Sequence, residues 1–349
     1  MIETVSSERP DGAAVEDIEK ELVNLWRQVS SREKPMLRAR VFTLLVVTRV
    51  EQEAMMAECV VQLAGRHPAR NVMLLLGDAD AEESVDADVT LLCSMRPYAR
   101  CAEQIRITAA GAALERLPAA ARSLLTANLS VVLWWTLPPD EDDVLFQELA
   151  QLSDRVIIDS SALEEVQGLR DLPSEAQGRR VSDLNWIRLG HWRESIAQCF
   201  DSPHHREYLS RVEEVTIETG QNRAAGWLLA GWLAARLCWE ARDGSAEGVE
   251  LAGANGHTVR VRFESKETEY AVSGVTLAGE EVRFEVRRVS ETCMQSIVEL
   301  PGTPRLEQVT MLPDETEPAL LSRELDRTRG DRIYREAVEA VRGMLERWQ

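Results

Sequence analysis

The side chains best suited to binding a small anion lie in the segment HPAR at residues 67–70. His67 and Arg70 stand where a helical pattern ends and an apolar strand pattern begins. A loop of this kind can hold a phosphate, and Asp159, at the end of another predicted strand, would join it at a ligand site on the edge of one sheet. These three residues are therefore candidate ligand-binding residues. For HPAR by itself, a helix cap with a salt bridge is the favoured interpretation.

A tryptophan-rich segment, DLNWIRLGHWRESIAQCFD, starts at Asp183 and has the residue types of a protein contact, since Trp and Arg are common anchors of interfaces. If the segment is one helix, polar and aromatic residues recur at helical spacing on two of its faces. The candidate partner-binding residues are Asn185, Trp186, Arg188, Trp192 and Arg193. The alternative, given equal weight, is that both tryptophans fill a junction between domains.

Signatures of catalysis are missing from the sequence. It contains no G-x-x-x-x-G-K-[ST], G-x-G-x-x-G, G-x-S-x-G or H-E-x-x-H motif. The five histidines are dispersed apart from the adjacent pair His204 and His205, and sequence neighbours rarely point at one ion. We therefore predict no metal, no cofactor and no catalytic residue, and a protein that is not an enzyme.

The composition is acidic, with a formal net charge of −19. Such a chain repels a phosphate backbone, so nucleic acid is not expected as a partner, and the charge would instead steer the chain toward a basic patch on another protein. The longest apolar run, residues 224–235, is too short to cross a bilayer. The first residues lack the basic and apolar parts of a secretory signal, so we expect a cytoplasmic protein without membrane contact.

Six cysteines are scattered without a C-x-x-C pair, mostly among apolar neighbours. This pattern favours buried, reduced thiols over a disulfide framework. Cys93 and Cys101 can approach each other across a hairpin, so a redox switch at this pair stays open as the less favoured interpretation.

The first half of the chain alternates short apolar runs with helical patterns. Runs that are apolar throughout are typical of strands buried on both faces of a mainly parallel sheet. The connection between the runs near Val89 and Gln104 is too short for a helical crossover, which makes the sheet mixed. Adjacent Trp134 and Trp135 point to opposite faces of their strand, and both are expected in the core.

The second half has a strongly apolar helix near 223–241 and then strands with strict alternation, as at 259–263 and 282–286. Such alternation predicts an antiparallel sheet with one solvated face. The predicted fold class is an α/β N-terminal domain, three-layered with a mainly parallel or mixed sheet, followed by an α+β C-terminal domain with an antiparallel sheet. The predicted boundaries are a disordered start at 1–15, the first domain at 16–175 and the second at 176–349.

Five segments together give the chain a resemblance to a known family, and the longest of them is the tryptophan-rich one. The others are HPAR at 67–70, VVLWW at 131–135, DRVIIDSS at 154–161 and LLAGWLAARLCW at 228–239. In these segments and in their order the chain resembles the OpcA family of glucose-6-phosphate dehydrogenase assembly proteins.

This resemblance implies a non-catalytic protein that binds glucose-6-phosphate dehydrogenase, promotes its active oligomer and activates it in the oxidative pentose phosphate pathway. The competing hypothesis is a sugar-phosphate sensor or enzyme that uses His67, Arg70 and Asp159. That hypothesis requires the three side chains to meet in one polar pocket.

Overall fold

The computed structural model describes residues 2–6, 15–31, 37–38, 40–94, 100–139, 143–173, 175–176, 178–221, 223–245, 247–253 and 256–348. The strands are β1 (Ile2–Ser6), β2 (Leu37–Arg38), β3 (Phe42–Arg49), β4 (Ala69–Leu76), β5 (Ser84–Ser94), β6 (Arg100–Ala110), β7 (Ser130–Trp135), β8 (Arg155–Ile158), β9 (Glu175–Ala176), β10 (Arg179–Asp183), β11 (Glu214–Thr219), β12 (Glu240–Ser245), β13 (Gly248–Ala252), β14 (Thr258–Ser265), β15 (Val272–Gly279), β16 (Val282–Ser290), β17 (Cys293–Glu299) and β18 (Leu306–Met311). The α-helices are α1 (Val15–Ser30), α2 (Glu53–Ala64), α3 (Leu117–Leu124), α4 (Val144–Gln151), α5 (Leu184–Arg188), α6 (Gly190–Gln198), α7 (Pro203–Glu207), α8 (Ala224–Leu237), α9 (Glu317–Leu325) and α10 (Arg332–Glu346).

The chain folds into two compact units that exchange segments. Unit 1 comprises Met1–Asp159, Glu175–Ser182 and Glu317–Thr328, and unit 2 comprises Ser160–Ser174, Asp183–Thr316 and Arg329–Gln349. The sequence-predicted division is a single cut between residues 175 and 176, and it does not include these exchanges.

The sheet of unit 1 has the strand order β1-β5-β6-β4-β3-β7-β8-β10-β9, with β2 beside β6. The neighbours β6, β4, β3, β7 and β8 run parallel, whereas β5 pairs antiparallel with β6 across the short connection. The predicted mixed sheet is therefore confirmed. The parallel order with a switch point at β3 is that of doubly wound nucleotide-binding folds.

The central strands of unit 1 are buried on both faces of the sheet, which explains why their sequences are continuous apolar runs. All six residues from Thr43 to Thr48 are buried, and Trp134 and Trp135 are fully buried on the two faces of β7. The indole of Trp135 packs edge-on against Phe146 of α4, with ring centroids 5.2 Å apart. The prediction that both tryptophans belong to the core is confirmed.

The sheet of unit 2 has eight strands in the order β12-β13-β14-β11-β15-β16-β17-β18. Its ladders are antiparallel except for the parallel pair β11–β14. Alternation along each strand buries one face, so that Val215 and Ile217 are buried while Glu214 and Glu218 are partly exposed. The predicted fold class, an α/β part followed by an α+β part, is confirmed.

Helix α8 of unit 2 packs on the apolar face of this sheet and against α10. The Trp227 ring of α8 stacks on Phe263 of β14 with centroids 4.6 Å apart. Gly231 is where α10 comes closest, since a Cβ at this position would lie 2.4 Å from the Ala337 carbonyl oxygen. The contact between the two helices therefore requires glycine at 231.

One local prediction is wrong. The start of the chain was expected to be disordered, but β1 pairs antiparallel with β5 over Ile2–Ser6, because its short β-prone sequence completes an otherwise open sheet edge; residues 7–14 lie outside the described part. The segment after β8 forms two 3-10 turns, Ser160–Ala162 and Val166–Leu169, which lack the length for an apolar stripe. No helix in the described part of the chain is long and apolar enough to span a membrane.

Candidate functional site

The turn after β3 is the place where a doubly wound fold would bind a dinucleotide. Such folds use a glycine-rich turn there, because the backbone must approach the pyrophosphate closely. In this chain a 3-10 turn, Val50–Gln52, leads straight into α2 and contains no glycine. Glu51 and Glu53 place carboxylates at the start of the helix, where they would repel a phosphate. This edge of the sheet thus has the strand order of a nucleotide-binding site, but its turn lacks the glycines that would let a phosphate approach the backbone.

The HPAR segment lies at the opposite, amino-terminal edge of the same sheet. The His67 ring is largely buried and its Nε2 lies 2.8 Å from Ser322 Oγ of α9. Burial lowers the pKa of His67, against the effect of the Asp326 carboxylate. The imidazole therefore ties α9 to the segment just before β4.

Arg70 belongs to a buried charge cluster centred on Glu103 of β6. Glu103 is fully buried, and Arg70 Nε donates to its Oε2 at 2.8 Å. Trp26 Nε1 of α1 and Arg38 Nε donate to its Oε1 at 2.8 and 2.6 Å. Burial alone would raise the pKa of Glu103, but Arg70, the Trp26 hydrogen bond and Arg38 outweigh it and lower the pKa.

The remaining donors of Arg70 are also occupied. Its Nη1 donates to Glu19 Oε1 of α1 at 2.6 Å and to the Leu124 carbonyl oxygen at 2.9 Å. A guanidinium that is only 3% exposed and bonded on this many sides has no room for a substrate. Arg70 thus fastens α1 and the end of α3 to the sheet, which agrees with the salt-bridge interpretation of HPAR.

Asp159 is far from His67 and Arg70, so the three do not form one site. Thr43 of β3 pairs with Arg70 of β4 on one side and with Val131 of β7 on the other. The next residue of β7, Val132, pairs with Arg155 of β8. Asp159 therefore lies about five residues further along the strand direction, or about 16 Å, at the opposite edge of the sheet. The pocket required by the sugar-phosphate hypothesis is not formed by these residues.

The tryptophan-rich segment forms two short helices rather than one. Helix α5 ends at Arg188 and α6 begins at Gly190, with Leu189 between them. Asp183 caps α5 through a bond from Asn185 N at 2.9 Å, and the same Oδ1 accepts Ser160 N at 3.0 Å. The faces predicted from a single continuous helix do not exist as such.

Trp186 is the centre of a polar and aromatic cluster that holds α10 in unit 2. Its Nε1 donates to Asp331 Oδ2 at 2.9 Å, and Asp331 Oδ1 accepts Tyr334 N at 3.1 Å, which caps α10. The guanidinium carbon of Arg193 lies 3.4 Å from the centroid of the Trp186 ring. Trp186 and Tyr334 contact each other with ring centroids 5.7 Å apart.

Burial corrects the expectation that all five candidate residues offer surface to a partner. Asn185, Trp186 and Trp192 are at most 3% exposed, because they fill the interior beneath α5 and α6. Arg188 and Arg193 are partly exposed. Contact between this segment and a partner therefore stays a proposal for these two arginines only.

The cysteines contain one disulfide, between Cys93 and Cys101. These residues are directly opposite in the β5–β6 hairpin, so the preference for two reduced thiols is wrong for this pair. Cys59 and Cys199 are buried as expected. Burial raises the pKa of Cys199 to about 11, and since the thiolate is the reactive form, this thiol is inert.

The comparisons with known proteins point to one family. Residues 60–173 match the family model described as glucose-6-phosphate dehydrogenase subunit N-terminal domain, and residues 179–338 match the corresponding C-terminal domain. A putative OxPP cycle protein OpcA from Nostoc punctiforme is 30% identical over 311 residues, which is 79% of this chain and 65% of that protein. Its namesake from Synechocystis is 26% identical over 317 residues, or 81% of this chain and 65% of the relative. The chain thus spans about two thirds of the length of these relatives.

Solved structures with a similar fold are oxidoreductases. Glucose-6-phosphate 1-dehydrogenase from Mycobacterium avium has a TM-score of 0.53 at 10% identity, covering 89% of this chain and 94% of that one. The 3-ketoreductase KijD10 from Actinomadura kijaniata has a TM-score of 0.51 at 10% identity, covering 88% and 96%. At this identity the likeness concerns the fold alone.

Proposed function

Since this chain belongs to the OpcA family of glucose-6-phosphate dehydrogenase assembly proteins, we propose that it binds a glucose-6-phosphate dehydrogenase, promotes its active oligomer and raises its activity in the oxidative pentose phosphate pathway. The observation that carries the proposal is the match of two family models, both described by that dehydrogenase, to successive parts of the chain.

The turn after β3 supports a role without catalysis. The fold is shared with oxidoreductases, yet the turn that would hold a dinucleotide has no glycine and presents Glu51 and Glu53. A hydride-transfer enzyme depends on holding the cofactor at this edge. We therefore place this chain beside the enzyme as its binding partner.

The partner surface is proposed to include Arg188 and Arg193. Both are partly exposed at the outside of α5 and α6, whose buried tryptophans hold the two short helices rigidly in place. Arginine on a rigid support is a frequent interface anchor. Of the two, Arg188 is the better probe, because Arg193 also covers the Trp186 ring.

Complex formation tests the proposal directly. The chain is mixed with the dehydrogenase of the same organism and the masses are measured by size-exclusion chromatography with light scattering. We expect a complex that contains both proteins and more of the larger dehydrogenase oligomer. Arg188→Ala is expected to weaken the complex while circular dichroism shows the chain still folded.

The buried Trp192 provides the matched comparison. Trp192→Ala is expected to lower stability by about 3–5 kcal/mol and to reduce complex formation only in proportion to the unfolded fraction. Absence of any complex between the wild-type proteins would refute the proposed function. A complex that Arg188→Ala leaves intact would refute only the assignment of the surface.

A further inference from the structure

The outer face of the eight-stranded sheet in unit 2 is a broad exposed surface. The inner face is apolar and buried, whereas the outer side chains are predominantly charged. Among those that face outward, Arg260, Arg262, Arg283 and Arg287 keep 60, 53, 48 and 47% of their side-chain surface exposed. Within the described part of the chain these four arginines are thus open to solvent, whereas Glu285 and Ile297 on the same face are buried.

The charges on this face follow an ordered row across the strands. Strand pairing puts one residue from each of six strands at the same level, and Arg305, just before β18, extends the row through its contact with Glu299 at 3.6 Å. From β13 to β18 the row consists of Glu250, Arg260, Glu214, Ala278, Arg283, Glu299 and Arg305.

This row is antisymmetric about Ala278 of the central strand β15. One step from Ala278 the charges are Glu214 on one side and Arg283 on the other. Each further step also gives opposite charges on the two sides, and the row ends in a glutamate and an arginine. If the same row from a second copy is laid over it in the reverse order, every charged residue therefore meets one of opposite charge.

A second row, four residues along the strands from the first, repeats the relation closest to the centre. Gly274 of β15 lies between Glu218 of β11 and Arg287 of β16. The residues of β15 on this face are small, namely Gly274, Thr276 and Ala278, so a second sheet can approach its centre closely. The charged residues of the two neighbouring strands, β11 and β16, therefore determine how a second sheet can pack on this face.

The two rows select one way to stack two copies face to face. A two-fold axis parallel to β15 puts β11 of one copy over β16 of the other, so Glu214 meets Arg283 and Glu218 meets Arg287. An axis across the strands would instead put each strand over itself reversed, with Glu214 over Glu218. That arrangement opposes like charges and is disfavoured.

The size of the face suits a stable interface. The axis superimposes the seven strands from β13 to β18 in the sheet order; at about 4.8 Å between strands, about six residues each and about 3.3 Å per residue, they present about 670 Å². Standard protein interfaces bury about 800 Å² per partner. Aligned packing of two sheets at a distance of about 10 Å keeps the charged residues nearest the axis in register despite the twist of each sheet.

We propose that this outer face is a self-complementary interface through which two copies of the chain form a two-fold dimer, with the axis along β15. The occupant of the face is a second copy, because its charge order is matched by its own reversal. The inference is independent of the binding of the dehydrogenase.

Paired charge reversals test the dimer by sedimentation equilibrium of the full chain. Glu218→Arg and Arg287→Glu each create two like-charge contacts across the axis, and each should raise the dimer dissociation constant at least about tenfold. Mixing the two variants should restore a heterodimer, since Arg at 218 of one chain then meets Glu at 287 of the other, and the remaining wild-type pair is kept. The double variant E218R/R287E should dimerise again by itself.

Glu83→Arg serves as the control, because its partner Arg116 lies in unit 1 and both side chains are more than half exposed. It should leave the dimer unchanged, and circular dichroism should show every variant folded. A wild-type chain that stays monomeric, single reversals without effect, or a mixture that fails to reassociate would each overturn the proposal. Loss of the dehydrogenase complex in Glu218→Arg, with a monomeric wild type, would assign the face to the dehydrogenase and also overturn it.

Discussion

Asp331 shows at the residue scale why the tryptophan-rich signature is structural. One carboxylate oxygen caps α10 through Tyr334 N, and the other accepts the indole N–H of Trp186. A single side chain thus joins the start of the last helix to α5. This network explains the buried tryptophans of the motif, whereas contact with a partner stays a proposal for Arg188 and Arg193.

Asp331→Ala should lower the free energy of unfolding by about 2–4 kcal/mol, because it removes a helix cap and leaves the Trp186 indole N–H without its acceptor. Asp331→Asn keeps a capping oxygen and is expected to lose less than half as much. Urea denaturation of both variants measures the difference. Equal stability of the two would show that the cluster does not hold α10.

Glu103 should make the stability of unit 1 depend on pH in the acid range. Its pKa is lowered in the folded state, so its contribution is present above the unfolded value of about 4.3 and is lost as the pH falls through the folded pKa. Glu103→Gln should cost about 3–5 kcal/mol at neutral pH, since Arg70 stays buried without its partner. Below pH of about 4 the gap between variant and wild type should shrink.

Denaturation series from neutral pH to about pH 3 check this expectation. Glu83→Gln is the control, because its ion pair with Arg116 is exposed and such pairs contribute little. A constant difference between wild type and Glu103→Gln at every pH would contradict the assignment of an ionised carboxylate.

Residue roles were only partly predictable from the sequence. The salt-bridge interpretation of HPAR agrees with the ion pairs of Arg70, because a charged residue beside a predicted strand is a local signal. Glu103 and Asp331 were missed, because their partners Trp26 and Trp186 are 77 and 145 residues away along the chain. A carboxylate in the middle of a buried strand was the one available hint of Glu103.

At the scale of elements, the contact between α8 and α10 depends on a missing side chain. Gly231→Ala should destabilise the protein by about 1–3 kcal/mol, because the added methyl group would meet the Ala337 carbonyl and the Val341 side chain. Gly343→Ala, with no heavy atom within 4 Å of the new Cβ, should instead gain up to about 1 kcal/mol from helix propensity. Thermal unfolding of both variants measures these changes in stability. A Gly231→Ala variant that is more stable than the wild type would refute the close approach of α10 to α8.

Elements with strong periodicity were predictable, whereas a break inside one predicted helix was missed. Helix α8 and the alternating strands β14 and β16 carry unambiguous patterns. The tryptophan-rich segment divides at Leu189, directly before Gly190, and this glycine was the local signal that a single continuous helix is disfavoured there. Strand β1 gains its structure by pairing with β5, which local sequence does not encode.

At the scale of the whole molecule, a net charge of −19 should influence how fast the chain finds its partner. If the dehydrogenase presents a basic patch, the association rate constant should fall as salt rises, while the dissociation rate changes less. Stopped-flow or surface-based kinetics between about 0.02 and 0.5 M salt would measure both rates. An association rate that does not vary with salt would remove electrostatic steering from the account.

A rate titration shows whether this chain activates the dehydrogenase without being a catalyst itself. The dehydrogenase of the same organism is assayed at fixed substrate with increasing amounts of this chain, beside the chain alone. We expect a saturable rise in rate and no turnover by the chain alone. An unchanged rate at saturating concentrations, or turnover by the chain alone, would contradict this expectation.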